Sequence, residues 1–485
     1  MNRTRDTRVR RNQAARNGHP RPQQIRHQRQ RPELASFKRE AYDHPLPQIL
    51  FYLIVATIPF FRWRQLPGAE FIKLDWLLTA VLLMILGPYL IMQKGPPQRL
   101  RANIWVPWFL FLLANLVAYI LSPYPDQALS GLTGLLQATI FMVIAALIIN
   151  EKGFESALPW TLGLSMGVGA TMSALGYFAG VEIFSHVEGA RAYGGSISAN
   201  NMSLMCVFTF PIMVHWAVYG RSAGMKALGL MLAVLMVFGV VSTVSRGGFL
   251  SIMAIMGLLA FQYRRSFQIK YLGLVVAIGA LALAMVIALI PEDFFARQAT
   301  LITQDVQDRS LDRRSSYVIV AMDAIRERPI IGWGTDVFKK IWVNSVETRW
   351  YDMVERPAHN TYLEVAVGGG LIGLVIFILL LLRAFFNFQQ AEKMLRNFDT
   401  RAAQLVAAYK LSLLSVVIYF LVKSGLEHKY FLLILPLSSS ALIYARTKLN
   451  THLQTEQTEA TSLSSSLKIT NGSSYNPPHY SYNKM

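Results

Sequence analysis

The sequence predicts an all-α, polytopic membrane protein with about twelve transmembrane helices and one long external loop containing interfacial helices. Three observations carry the prediction. Hydrophobic residues make up 53% of the 485 and charged residues only 15%, too apolar a balance for one soluble core. The apolar residues fall in long blocks, such as DWLLTAVLLMILGPYLIM, LGLMLAVLMVFGVV and YLGLVVAIGALALAMVIALI, approaching the roughly 20 residues that a helix needs to span hydrocarbon. Basic residues collect in alternate loops, as the positive-inside rule requires.

Taken in order, the spans fall near 47–61, 75–92, 104–121, 128–149, 158–179, 202–219, 226–244, 247–262, 271–290, 366–388, 406–422 and 430–446. With the arginine-rich N-terminus in the cytoplasm, the loops QKGPPQRLRAN, VYGRSAGMK, QYRRSFQIK and FQQAEKMLRNFDTR all fall on the cytoplasmic side, and all are basic. The expected organisation is a disordered basic arm over 1–46, a membrane domain over 47–446 and a polar, Ser/Thr-rich, disordered cytoplasmic tail over 447–485. The formal charge is +19, and about a dozen of the 47 Lys and Arg lie in the arm. Its composition fits a topogenic, lipid-attracted tail better than a nucleic-acid binder. No cleavable signal peptide is visible, because the arm has no apolar h-region. The single cysteine, Cys206, excludes an intramolecular disulfide and a Cys-based metal site.

The opposite face receives SPYPDQ, GVEIFSHVEGARAYGGSISANN, the tight turn SRGG, KSGLEHK and one long loop over 291–365. A loop of that length inside a compact fold is functional or disordered, and this one is not low-complexity. It places Tyr317, Val320, Ala321, Ala324 and Ile325 at helical spacing, which predicts an amphipathic helix resting on the membrane surface. Pro329 and the Gly332-Trp333-Gly334 turn end it.

Ionisable residues in mid-membrane mark ion pathways, because burying a charge there costs several kcal/mol, roughly 3 or more at a helix centre. The spans have almost none; Asn115 is the main polar residue in a span centre. The external face instead gathers Arg191, Arg246, Arg313, Arg314, His359, Lys423 and His428. Arginine's fixed fork of donors suits phosphate oxygens, and arginines at headgroup depth suit a phosphate-bearing lipid. For Arg246, between Ser245 and the Gly247-Gly248 pair, two readings stand: a snorkelling interfacial arginine in a glycine-permitted turn, or one whose glycines let a ligand approach the backbone. Arg191, also followed by two glycines, divides the same way. Arg313 and Arg314 read as a solvated pair or as ligand-binding groups.

The stretch RPAHNTYLEVAVGGGLIG, 356–373, opens an apolar span. Thr361 to Glu364 fits the S/T-x-x-E capping box, with Glu364 at N3, which gives Glu364 a structural task. Asn360 and Glu364 are taken as supporting residues of the site. His359 precedes the helix start, where unpaired N–H groups and the helix dipole favour anions and disfavour imidazolium. Nearby arginines lower its pKa further. A neutral imidazole there is what a general base serving a phosphate-bearing substrate requires; a hydrogen-bonded interfacial histidine is the other reading. No D-x-D, G-x-x-x-x-G-K-[ST], H-E-x-x-H or G-x-S-x-G is present, so neither a nucleotide nor a metal is indicated, and no cofactor is expected.

GARAYGGSISANN, STVSRGGFL, DRRSSY followed by RERPIIGWG, and PAHNTYLEVAVGGGLIG, in that order, resemble the O-antigen ligase and O-antigen polymerase superfamily of bacterial inner-membrane proteins. The likeness runs from about 100 to 445 and is most specific between 240 and 375. It implies a metal-independent glycosyltransferase of surface-polysaccharide assembly, acting at the periplasmic face. Its donor would be an undecaprenyl-diphosphate-linked glycan, its acceptor a glycan, lipid or protein. Membrane lipids and other polysaccharide-assembly proteins would be its further partners; nucleic acid would not. On this resemblance His359 is the base, Arg246 and one of Arg313 or Arg314 hold the diphosphate, and Arg191 helps to place it, for an inverting displacement at the anomeric carbon. A small-anion or inorganic-carbon transporter is the alternative, disfavoured by the lack of mid-membrane charge. A non-catalytic assembly protein is another.

Overall fold

The computed structural model describes residues 44–264 and 309–470, apart from 62–64, 67–68, 93–96, 101–102, 182–184, 186, 189–190 and 352. The expected span at 271–290, the loop residues up to 308, the arm before residue 44 and the tail beyond 470 lie outside the described residues.

The other eleven expected spans all coincide with helices. In chain order these are α1 (Pro45–Thr57), α2 (Leu74–Met92), α3 (Trp105–Ile120), α4 (Pro125–Ile148), α5 (Leu158–Phe178), α6 (Ala199–Tyr219), α7 (Ala223–Ser242) and α8 (Arg246–Tyr263), then α9 (Arg309–Glu327) and α10 (Phe338–Asn344) of the loop, and α11 (Thr361–Leu395), α12 (Thr400–Tyr419) and α13 (Lys429–Thr470). Among the described residues, eight are long and apolar enough to cross a membrane: α2, α4, α6, α7, α8, α11, α12 and α13. Helices α1 and α3 are shorter and apolar. Glycine and serine dilute α5. The protein is an all-α polytopic membrane protein. Two short antiparallel ladders interrupt the helices, β1 (Gln65–Leu66) with β2 (Ala69–Lys73) and β3 (Val187–Glu188) with β4 (Arg191–Ala192).

Helix α6 packs between α7 and α12, and α11 against α3, α12 and α13. Lipid tails are as apolar as the helices, so close packing rather than exclusion of water holds such a bundle together, and small residues mark the contacts. On α5, Gly163 meets Met213 and Leu232, and Gly167 meets Leu232 again; α7's Gly239 sits against Cys206 and Ala170.

Three expectations change. The apolar face predicted for α9 is taken up inside the protein, while Val318, Ile319 and Met322 stay exposed. Tyr317, Val320, Ala321 and Ala324 are buried against Phe338, Trp342 and Val367, so the loop carries its own small core. The capping box also does not form, and the N-cap lies one residue earlier. Asn360 is the N-cap, its side chain accepting from Leu363 N at 3.1 Å, and Thr361 is the first helical residue. Thr361 Oγ1 instead donates to the Lys423 carbonyl (2.7 Å) and accepts from Gly425 N (3.1 Å). Glu364 accepts from Ala358 N (2.8 Å) and Ser424 Oγ (2.6 Å). Both residues tie the start of α11 to the turn between α12 and α13, a contact about 60 residues away that local pattern does not contain. Finally, α13 continues to Thr470, through much of the segment whose composition suggested a disordered tail. Threonine hydroxyls bonded four residues back, as at Thr451 and Thr455, and a His452–Glu456 pair at i,i+4 support that exposed extension.

The long helix α11 is broken at Gly370, whose φ of 63° and ψ of −167° are open essentially to glycine alone. The break frees backbone groups at depth, where each must be satisfied within the protein. The segment after α9 does this: Trp333 N and Gly334 N donate to the Val367 and Gly368 carbonyls (both 2.8 Å), and Leu371 N donates to the Pro329 carbonyl (2.8 Å). RERPIIGWG and VAVGGGLIG are therefore two halves of one backbone clasp, which fixes the top of α11 and the residues just before it.

Candidate functional site

Beyond the start of α11, a cavity of about 270 Å³ is lined by Arg191, Arg246, Arg313, Arg314 and Arg356, with Tyr317 and His359. All five positions expected for the diphosphate and the base, Arg191, Arg246, Arg313, Arg314 and His359, come together there. Asn360 and Glu364 do not line it; they hold the helix start.

Each arginine arrives on a braced element. Arg191 lies on β4, whose next residue, Ala192, accepts from Ser173 Oγ of α5 (2.8 Å). Its Nε donates to the Thr243 carbonyl (3.0 Å) and its Nη2 to Asn200 Oδ1 (3.3 Å). Asn200 Oδ1 also accepts from Ser245 Oγ (2.9 Å), while the Asn200 carbonyl accepts from Tyr419 Oη (3.0 Å). Arg246 is the first residue of α8, and Ser245 is its N-cap, accepting from Gly248 N (3.2 Å). The glycines do not make the turn, contrary to the sequence reading. Val244 makes it, at φ 47°. Gly247 and Gly248 are helical, and a Cβ on either would collide, with Val422 and with Ser203 respectively. Arg313 and Arg314 project from α9.

His359 also has positive φ, 53°. Left-handed backbone is uncommon outside glycine and, for a β-branched valine, a true outlier. Such strain persists only where surrounding structure over-determines it, and it clusters at functional sites. Val244 and His359 both line this cavity. Burial lowers the His359 pKa to about 4, helped by Arg314, Lys423, Arg313 and Arg356. The imidazole is therefore neutral near pH 7.

Among the described residues, no carboxylate lines the cavity. Like charges 4–8 Å apart repel by about 2–4 kcal/mol per pair at an effective dielectric of about 20, so five guanidinium groups in one cavity favour a multiply charged anion. The capped N-termini of α8 and α11 reach the same place and add partial positive charge. The Tyr317 hydroxyl is buried behind the cavity lining and has no hydrogen-bond partner among the described residues. Sequence reasoning passed over Tyr317 as a helix-face residue. It passed over Arg356 too, although Arg356 opens the stretch that carries His359.

Residues 231–378 match the family model for O-antigen ligase. This segment, about a third of the chain, is similar to the O-antigen ligase family. The segment that matches O-antigen ligase holds Arg246, Arg313, Arg314, Arg356 and His359, and leaves Arg191 outside. The chain is also similar to an uncharacterized protein of Haemophilus influenzae, 26% identical over 197 residues that cover 38% of this chain and 48% of the relative. It thus spans about half the length of the curated relative that it matches.

Proposed function

We propose that the protein is a membrane glycosyltransferase of surface-polysaccharide assembly. It moves a glycan from an undecaprenyl-diphosphate-linked donor to a hydroxyl of a glycan, lipid or protein acceptor, at the periplasmic face of the inner membrane. The observation that carries this reading is the joining of five arginines and a neutral histidine in one cavity that, among the described residues, has no carboxylate.

In this reading the arginines hold the donor diphosphate. His359 takes the proton of the acceptor hydroxyl as the acceptor oxygen bonds to the anomeric carbon. The bond from that carbon to the phosphate oxygen breaks, its electron pair leaves with the diphosphate, and the arginines stabilise the charge that gathers there. Attack opposite the leaving group inverts the anomeric centre. A protonated histidine serves none of these steps, which gives the low His359 pKa its use.

The test compares cells with wild type, His359→Ala and Arg246→Ala at equal protein level, reading surface-polysaccharide length and attachment. Lipid-linked glycan that accumulates unattached marks a ligase. Short chains that are still attached mark a polymerase. Wild-type behaviour from both variants overturns the proposal.

A further inference from the structure

A second and larger cavity, of about 550 Å³, shares a wall with the arginine cavity. Consecutive residues divide between the two. Arg356 and Asn200 line the smaller, whereas Pro357 and Asn201 line the larger. The larger is chemically unlike its neighbour. Its charged lining is Asp336, Glu364 and Glu427 beside Lys339, Lys423 and Lys429, the last paired with Asp75, and its apolar lining includes Phe61, Phe111 and Phe338.

The charges are not all spent on each other. Asp336 is held by Lys339 (2.6 Å) and Gln127 (3.0 Å). Lys423 is buried and donates to the Ser424 carbonyl at 3.0 Å, and among the described residues it pairs with no carboxylate. Glu427 pairs with no base there, and its carboxylate lies against Gly134 of α4, where a Cβ would collide with it. Three non-glycine residues among those described have positive φ: Val244 and His359 line the small cavity, and Asp336, at 66°, lines this one.

Three carboxylates among three lysines leave no net positive charge to hold a second phosphate, and an acyl chain would leave both carboxylates and ammonium groups without partners. A polyhydroxylated ligand meets both kinds of group, since each hydroxyl donates and accepts, and its C–H faces suit the phenylalanines. We infer that this cavity binds uncharged sugar units, with Glu427 and Lys423 as the residues that select them. The inference rests on the reading of the neighbouring cavity as the diphosphate site, and it leaves two sources for the sugar: the donor glycan next to its diphosphate, or the acceptor.

The test uses the full chain in lipid nanodiscs and a transfer assay with lipid-linked glycan and acceptor extracted from the cells that carry it. Two variants are compared with wild type. Glu427→Gln removes the charge at an exposed position, and Ile197→Trp, at a residue 48% exposed on the cavity lining, narrows the cavity without touching the core. Loss of one charged hydrogen bond is expected to raise the KM of one substrate about tenfold, with kcat kept within about threefold. A raised acceptor KM places the acceptor sugar in the cavity; a raised donor KM places the donor sugar there. Unchanged KM for both substrates in both variants overturns the inference. That failure is separable from failure of the catalytic reading, which shows instead as full transfer by His359→Ala.

Discussion

Helices α8, α11 and α12 present opposite chemistry at their two ends. At one end, Arg246 and His359 join four further arginine side chains, in a cavity without an acid. At the other, the buried charges are paired. Glu392 of α11, 1% exposed, bonds Lys410 of α12 at 2.5 Å and Arg396 at 2.7 Å, and Gln262 of α8 donates to it at 3.3 Å. The difference teaches what each set of charges is for. A paired network inside a bundle holds helices in register without a ligand; a single-sign cluster on strained backbone is stabilised by an arriving anion.

The largest expected effect separates the two ends by activity. His359→Ala and Arg246→Ala should each lower glycan transfer by about 10²–10⁴-fold, the range for loss of a general base or a charge stabiliser, while thermal unfolding of the purified protein stays near wild type. The other end should answer in the opposite sense. Glu392→Ala leaves Lys410 buried without its carboxylate, a defect that costs about 3–5 kcal/mol, and should lower the unfolding temperature clearly while folded molecules keep their turnover. A Glu392→Ala protein of unchanged stability would remove the contrast.

Next in size is the clasp that joins α11 to the loop. Gly370→Ala places a Cβ on a backbone open to glycine and against the Ile330 carbonyl. It should cost roughly 1–3 kcal/mol, with a fall in turnover as the segment before Thr361 loosens; hydrogen exchange at Trp333 and Gly334 reads it directly. The smallest effect is on pH. Because the His359 pKa is lowered to about 4, the base stays neutral well below the ordinary imidazole range. The acid limb of kcat/KM should therefore lie near pH 4, so that activity at pH 5.5 stays within about twofold of that at pH 7. Stability follows the same sign: an unfolded chain takes up the proton between about pH 6.5 and 4 and the folded one does not, so His359 destabilises the fold as pH falls through that window. An acid limb near 6.5 would deny the burial of the base.

Much of this was open to the sequence, because each helix is an apolar block bounded by polar turns, and the site residues are charges that such blocks do not tolerate. What escaped it depends on contacts between distant segments. Asn360 and Thr361 are both good cap residues, and only the turn at 423–425 decides that Thr361 bonds outward while Asn360 caps. The three glycines at 368–370 look like ordinary helix until Pro329 to Gly334 supply the bonds that a break there requires. Arg356 reads as a solvated loop charge until the fold turns it toward four others. The strain at Val244 ran against the expectation that neighbouring glycines would take it, because packing against Ser203 and Val422 already claims them.

The most direct test of the account is calorimetric binding of undecaprenyl diphosphate to the full chain in nanodiscs at fixed salt, for wild type, Arg246→Ala and Arg396→Ala. The diphosphate should bind wild type and Arg396→Ala equally and Arg246→Ala about tenfold or more weakly, as loss of a charged hydrogen bond implies. Equal binding by all three proteins would contradict the claim that the arginine cavity holds the donor's diphosphate.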